Sequence, residues 1–321
     1  MRAEIAAISR ILLITSRLFG QRRATAELGR RLVAVGHSVS VAGPGLARSD
    51  AEGAALNFSK LPDYRLGGPD LPAARRLADL LPPRRGVRLG QAMEALGANE
   101  IRSVLVESRP DLVLIDSELH PHIVVARSLG LRTGLTTTIY RGPPGLRAPP
   151  LESGIVPGEG VGGSRAGVAA AWLAAWARSD LARLRDVRRG GGYRGLLAAF
   201  SRSEAVDLAR ETTTRHWQRP FSWHRLPLLV MQPLELDLPR PPDPRLRHIG
   251  HLAGAQRDAT AMRGGNSHGQ DGKRLAYVAF GSMVPAPQSL VEKLWQVARR
   301  AERSWDPRGT SGMLRRTCSP T

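Results

Sequence analysis

The sequence predicts an α/β fold: a doubly wound parallel sheet, with part of a second lobe of the same kind toward the C-terminus. Short apolar runs of strand length alternate with helical stretches from residue 10 onward. That alternation is typical of parallel sheets, because parallel strands need helical crossover connections. A length of 321 residues with 42% hydrophobic residues fits about two domains with substantial cores.

The first βαβ unit is the clearest local pattern. We predict a strand over 11–15, a loop over 16–23, a helix over 24–35 that ends at Gly36, and a second strand over 37–43. A unit of this kind buries its strands beneath helices.

The middle of the chain continues the alternation. Residues 57–61 predict a third strand, 88–108 a helix, and 110–116 a central strand that ends in Asp116. A helix that ends before Gly130 and a strand over 131–139 follow. Since open α/β sheets bind ligands at the carboxyl ends of their strands, Asp116 is a candidate site residue.

The later elements are less regular. A glycine-rich run over 153–163 lacks the Lys-Ser/Thr ending of a phosphate loop, and we expect an exposed loop there. The predicted elements after it are a helix over 167–189 with Trp172 and Trp176 on one face, a helix over 196–210, and strands over 226–231 and 247–252.

Near the C-terminus, 274–283 is a β-rich apolar run that stops at Gly281 and Ser282, and a helical run follows. A strand-turn-helix of this kind can hold a phosphate on backbone amides. We therefore predict a first domain over 10–254, a linker over 255–272, a fragment of a second domain over 273–303, and an irregular tail over 304–321.

The formal charge of +19 is common among nucleic-acid-binding proteins, but its distribution argues against that class. All but three of the 47 basic residues are arginines, and they are scattered along the chain with no zinc or helix-turn-helix pattern. We expect no nucleic-acid partner. The basic surface leaves peripheral contact with an anionic membrane open, and the oligomeric state is also open.

Cys318 is the only cysteine, which excludes an intramolecular disulfide and a cysteine-based metal cluster and fits a reducing compartment. Residues 1–10 are too polar for a secretory signal, and the longest apolar run, 168–177, is about half of a bilayer span. We therefore expect a cytoplasmic protein, with peripheral contact at the inner membrane face left open.

Two histidines follow Asp116 closely. His120 and His122 lack a third ligand nearby, so we expect no metal site. A histidine acting as a general base fits better, because its pKa lies near neutrality and an adjacent carboxylate can orient it.

Together these landmarks resemble the GT-B glycosyltransferases related to macrolide, carotenoid and plant small-molecule glucosyltransferases. The matching segments lie in the same order along about residues 10–300. They are the first strand with Phe19-Gly20, the helix into Gly36-His37-Ser38-Val39, Pro110 to Asp116, Glu235 to Pro239, the Ile249-Gly250 strand, and Tyr277 to Met283.

The resemblance implies two Rossmann-like domains, with an acceptor bound by the first and a nucleotide-diphosphate sugar by the second. It implies transfer of a hexose to a hydroxyl of a small lipophilic acceptor, with no metal or cofactor beyond the sugar nucleotide as co-substrate. The residues that it implicates are Asp116 and His120 in catalysis, Gly281 and Ser282 in donor binding, and Phe19, Gly20, Gln21 and Thr137 in acceptor binding.

One departure from the family concerns the base. The family commonly has a histidine after the first glycine, whereas Gly20 is followed here by Gln21, whose amide cannot accept the hydroxyl proton. Either His120 supplies the base, or the acceptor is activated otherwise, or the protein is not catalytic.

The other departure concerns the donor domain. The family's His-Gly-Gly signature lies far beyond the Gly-Ser turn, whereas this chain ends about 40 residues after Ser282. We therefore expect a truncated or frameshifted product with little or no transfer activity alone. The alternative is a non-catalytic small-molecule-binding remnant, or a subunit that needs a partner chain.

Overall fold

The computed structural model describes residues 8–63, 96–138, 145–150, 153–188, 192–213, 222–236, 243–250 and 252, together with 289, 292, 293 and 296. The chain divides into two compact units, Met1–Gly264 and Gly265–Thr321. In the second unit the described residues are helical. The predicted donor turn, Gly281 and Ser282, lies outside the described residues.

The first unit is built on parallel βαβ units, as predicted. Its elements up to the fifth strand are β1 Arg10–Ile14, α1 Phe19–Ala34, β2 Ser38–Gly43, α2 Arg48–Gly53, β3 Asn57–Lys60, α3 Ala98–Ser108, β4 Leu112–Asp116, α4 His120–Ser128 and β5 Thr133–Thr137. The later elements are α5 Arg165–Arg188, α6 Gly192–Ser203, α7 Leu208–Glu211, β6 Thr212–Thr213, β7 Ser222–Trp223, β8 Leu228–Val230 and β9 Leu246–His248.

The main sheet has seven strands in the order β3-β2-β1-β4-β5-β8-β9, and every neighbouring pair is parallel. The chain runs outward from β1 to β3 and then returns to place β4 on the other side of β1. The order therefore reverses between β1 and β4, which is the position where doubly wound sheets bind their ligands. The predicted α/β class is confirmed.

Both faces of the sheet are covered, because successive residues of one strand are buried in different clusters. Leu12 and Ile14 of β1 belong to one buried apolar cluster, and Ile11 and Leu13 belong to another. Burial on both faces explains why these strands read as continuous apolar runs instead of alternating ones.

Several predicted boundaries were wrong. Gly97, inside the helix predicted over 88–108, is left-handed and precedes α3, and the strand predicted over 247–252 ends at His248. The loop predicted over 16–23 ends early, since α1 already begins at Phe19 and the Arg22 N–H donates to the Leu18 carbonyl at 2.9 Å. The single helix predicted over 196–210 is two helices, α6 and α7. Ala205 adopts a left-handed φ of 55° between them, and the Asp207 side chain caps α7.

Glu27, in the buried part of α1, anchors two arginines. Arg30 and Arg31 each donate to its carboxylate at 2.8 Å. The hydrogen bonds from Arg30 are the largest cause that lowers the pKa of Glu27, from 4.5 to about 2, and Arg31 lowers it further while burial opposes the shift. The ionised form of Glu27 therefore stabilises the folded state.

We expect Glu27→Gln to lower the free energy of unfolding by about 1 kcal/mol at neutral pH, because both arginines are half exposed and screened. The folded pKa lies below the unfolded one, so this contribution is complete above pH 4.5 and is lost as the pH falls toward about 2. Urea unfolding of both proteins from pH 7 downward measures it. A difference that grew as the pH fell would contradict the assignment.

Candidate active site at the carboxyl edge of the sheet

Polar side chains are buried where β1, β4 and β5 end. Thr15 and Ser16 follow β1, Asp116 and Ser117 lie at the end of β4, and Thr137 ends β5, each at most 3% exposed. Burying a polar group lowers stability unless the group is hydrogen-bonded. The concentration of such groups at one edge of an apolar sheet therefore marks a candidate site.

Asp116 stands at the centre of this edge, as predicted from its position after the strand. It pairs in register with Thr136 of β5, and it is only 3% exposed. Its Oδ1 accepts a hydrogen bond from the Glu118 N–H at 3.2 Å, and its carbonyl accepts one from the Leu119 N–H at 2.9 Å. The turn into α4 thereby fixes the carboxylate relative to the strand end.

Gln21 connects the first turn of α1 to β5. Its Nε2 donates to Thr136 Oγ1 at 3.1 Å, and both residues are 2% exposed. Since Thr136 is the register partner of Asp116, this hydrogen bond brings Gln21 to the same edge as the carboxylate. The amide thus occupies the place that the resemblance gives to a histidine, and it ties two elements together there.

Phe19 and Gly20 lie on the outer side of the same helical turn. Phe19 is 50% exposed, and the guanidinium carbons of Arg22 and Arg23 lie 5.8 and 5.1 Å from its ring centroid. An exposed aromatic ring is available to a ligand. Each cation–π contact between an arginine and the ring contributes about 0.5–1 kcal/mol at such an exposed site.

His120, the first residue of α4, is buried against a tryptophan. The Trp223 Nε1–H donates to His120 Nδ1 at 3.0 Å, and the ring centroids are 6.4 Å apart. Because an indole N–H can only donate, Nδ1 must accept, and the neutral ring carries its proton on Nε2. Trp223 belongs to β7, a two-residue strand that was not predicted from the sequence.

We expect Trp223→Phe to lower the free energy of unfolding by about 1–3 kcal/mol, because it leaves a buried imidazole nitrogen without its donor. Denaturant unfolding of Trp223→Phe, His120→Phe and the double variant forms a double-mutant cycle. The two single effects should not add. Strict additivity would show that the bond contributes nothing to stability.

His122 lies two residues further along α4, beside a narrow recess. Thr15, Ser16, Arg17 and Leu119 also line this recess. Burial lowers the pKa of His122 to about 3, so its ring is neutral at physiological pH. His122 therefore adds a polar but uncharged group to this edge.

Among the described residues, no group of three or more histidine, cysteine, aspartate or glutamate side chains could hold a metal ion. No described helix is long and apolar enough to cross a membrane.

The sequence matches no protein-family model and no curated protein sequence. Among solved structures, the glycotransferase of kitacinnamycin is similar over 92% of this chain and 63% of its own, with 18% identity and a TM-score of 0.53. Two further solved structures are more distant. The calicheamicin glycosyltransferase CalG4 has 14% identity and a TM-score of 0.45, over 76% of this chain and 52% of its own. The spinosyn forosaminyltransferase SpnP has 18% identity and a TM-score of 0.43, over 76% of this chain and 51% of its own.

This chain thus spans less than two thirds of the length of the kitacinnamycin enzyme, and at 18% identity the comparison concerns the fold. The all-parallel sheet of seven strands, with helices between them, agrees with it. The chain therefore has an α/β, Rossmann-like fold of the GT-B glycosyltransferase type.

Proposed function

We propose that this protein is a glycosyltransferase that moves a hexose from a nucleotide-diphosphate sugar to a hydroxyl of a small lipophilic acceptor. The observation that carries the proposal is the buried carboxylate of Asp116 at the carboxyl edge of β4, beside the strand-order reversal of a GT-B-like fold. The similar enzyme is described as the glycotransferase of kitacinnamycin, and this similarity supports a small-molecule acceptor.

In the proposed reaction the acceptor oxygen attacks the anomeric carbon of the sugar, and the bond from that carbon to the diphosphate breaks with inversion. The acceptor hydroxyl loses its proton to a base, and the nucleoside diphosphate leaves as an anion. A buried carboxylate suits the first task because it is fixed and shielded from water. No metal or other cofactor has a step in this reaction.

For the base, we propose Asp116 itself, with His120 at the start of α4 as a hydrogen-bonding partner of the reacting groups. The bond from Trp223 assigns the proton of the neutral His120 ring to Nε2, from which it can donate but not accept. A carboxylate needs no change of tautomer to take the hydroxyl proton. His120 can act as the base only if its Nδ1 releases the tryptophan N–H and accepts the hydrogen bond of the substrate hydroxyl instead.

For acceptor binding, we propose the first turn of α1 together with the end of β5. Phe19 offers an exposed apolar ring, Gly20 leaves space on the same side, and Gln21 and Thr137 supply polar groups at the edge. For donor binding, we propose that the backbone amides after Gly281 and the Ser282 hydroxyl hold the diphosphate. We also propose that the protein acts in the cytoplasm.

The proposal is tested by incubating the purified chain with nucleotide-diphosphate hexoses and a panel of lipophilic alcohols, and measuring hexosylated product by mass spectrometry. The chain spans 63% of the kitacinnamycin enzyme, and we expect little transfer activity from it alone. The assay therefore uses a high protein concentration and a long incubation, which allow a slow reaction to be detected. Product that requires both substrates and active-site residues supports the proposal. For the same reason acceptor binding is measured as well, and the absence of both product and acceptor binding would count against it.

A further inference from the structure

The outer face of α5 is apolar although it faces solvent. The helix packs onto the domain through Val168 and Trp172, which are 0% and 4% exposed, and the indole of Trp172 donates to the Ala148 carbonyl at 2.8 Å. This packing fixes which side of the helix points inward. The outward side can therefore be read from the residues about half a turn away.

Three leucines occupy that outward side. Leu173, Leu181 and Leu184 are 62%, 54% and 58% exposed. At about 100° per residue they fall within a sector of roughly 80°, and Ala177 lies inside the same sector. A solvent-facing helix normally carries polar residues there, so a face of this kind indicates a partner that covers it.

Charge identifies the kind of partner. The exposed Arg178 and Arg185 lie along one border of the leucine sector, Asp180 lies near the other, and the chain as a whole carries +19. A second copy of the chain would also carry +19, and this net charge opposes the association of two copies. An anionic lipid surface instead attracts the arginines and accepts the leucines, as for helices that lie in the plane of a membrane interface.

We propose that α5 is a membrane-docking helix that lies on anionic phospholipid, with Leu173, Leu181 and Leu184 inserted among the acyl chains and Arg178 and Arg185 at the headgroups. Val161, in the loop that leads into α5, is also exposed. This surface shares no residue with those proposed for sugar transfer. Its test therefore does not depend on the transferase assignment.

The experiment is co-sedimentation of the full 321-residue chain with vesicles of phosphatidylglycerol and phosphatidylcholine, and with vesicles of phosphatidylcholine alone. Because each basic residue near an anionic surface adds about fivefold in affinity, we expect binding to anionic vesicles to be at least about tenfold stronger. Arg178→Glu with Arg185→Glu should reduce this preference about tenfold or more.

The leucines are tested by a neutral change, Leu181→Ser with Leu184→Ser, which leaves the net charge unaltered. This variant should bind anionic vesicles about tenfold more weakly than the wild type. The matched control is Val33→Ser with Val106→Ser, two valines that are 46% and 55% exposed on other helices, and it should bind like the wild type. Circular dichroism and thermal unfolding establish that both variants are folded.

Equal binding by the leucine variant and the control would overturn the proposal, since scattered arginines alone would then explain vesicle binding. Equal binding of the wild type to neutral and anionic vesicles would overturn it as well. Sedimentation without lipid measures the oligomeric state of both proteins. If the wild type is a dimer, the leucine variant is a monomer and both bind vesicles equally, the face joins two copies of the chain and the membrane role is wrong.

Discussion

Asp116→Asn should reduce the rate of sugar transfer by about 10²–10⁴-fold, because the amide cannot take the proton of the acceptor hydroxyl. The fold should survive the change, since an asparagine oxygen can still accept the Glu118 N–H as Asp116 Oδ1 does at 3.2 Å. Initial rates at saturating acceptor, together with the thermal unfolding midpoint, separate loss of chemistry from loss of structure.

Asp180→Asn is the matched control, because Asp180 is exposed on α5 and belongs to no part of the proposed site. It should retain the wild-type rate. Transfer that continued unchanged in Asp116→Asn would remove Asp116 from the chemistry and return the role of base to His120. In that event His120→Gln should abolish the reaction.

Phe200→Ala should lower the free energy of unfolding by about 3–5 kcal/mol, the largest effect on stability that we expect from one substitution. Phe200 is completely buried, and it belongs to the apolar cluster that includes Leu105, Ile123 and Trp223. Its truncation would leave a cavity between α6 and the helices that cover the sheet. Denaturant unfolding monitored by tryptophan fluorescence measures the loss.

The control for Phe200→Ala is Val106→Ala, since Val106 is 55% exposed and should change stability by less than about 0.5 kcal/mol. Two equal, small losses would show that α6 does not pack in the way described. A large loss for Phe200→Ala alone agrees with a single core in which α6 and β7 support the turn that carries His120.

The strands of the first unit could be predicted because burial on both faces gives them short, continuous apolar runs. β1, β2, β4 and β5 lie within two residues of their predicted ends. The position of Asp116 at this edge could be predicted for a related reason: the end of a buried strand is where polar side chains of a parallel sheet collect. In both cases the controlling pattern is local in sequence.

What could not be predicted depends on contacts between distant residues. The first turn of α1 contains Gly20 and resembles a loop in sequence, but Gln21 binds Thr136 and a 3.3 Å ion pair joins Arg22 to Asp50. Trp223 contributes through its hydrogen bond to His120, a residue 103 positions earlier in the sequence. β7, with two residues, is too short to show any periodicity.

The proposed choice of Asp116 as the base shows the same limit. The spacing of His120 and Asp116 in the sequence suggested a histidine oriented by a carboxylate, and nothing local indicated that a tryptophan would donate to Nδ1. Burial of His122, which lowers its pKa, likewise depends on residues from other elements. Gly281 and Ser282 stay predictions, as they lie outside the described residues.

The most direct measurement is a crystal structure of the chain with a lipophilic alcohol that it glycosylates or binds. The account predicts that the acceptor lies against Phe19 and Gly20 and that its hydroxyl oxygen is within hydrogen-bond distance of the Asp116 carboxylate. An acceptor bound at another surface, with Asp116 still enclosed by protein, would contradict it.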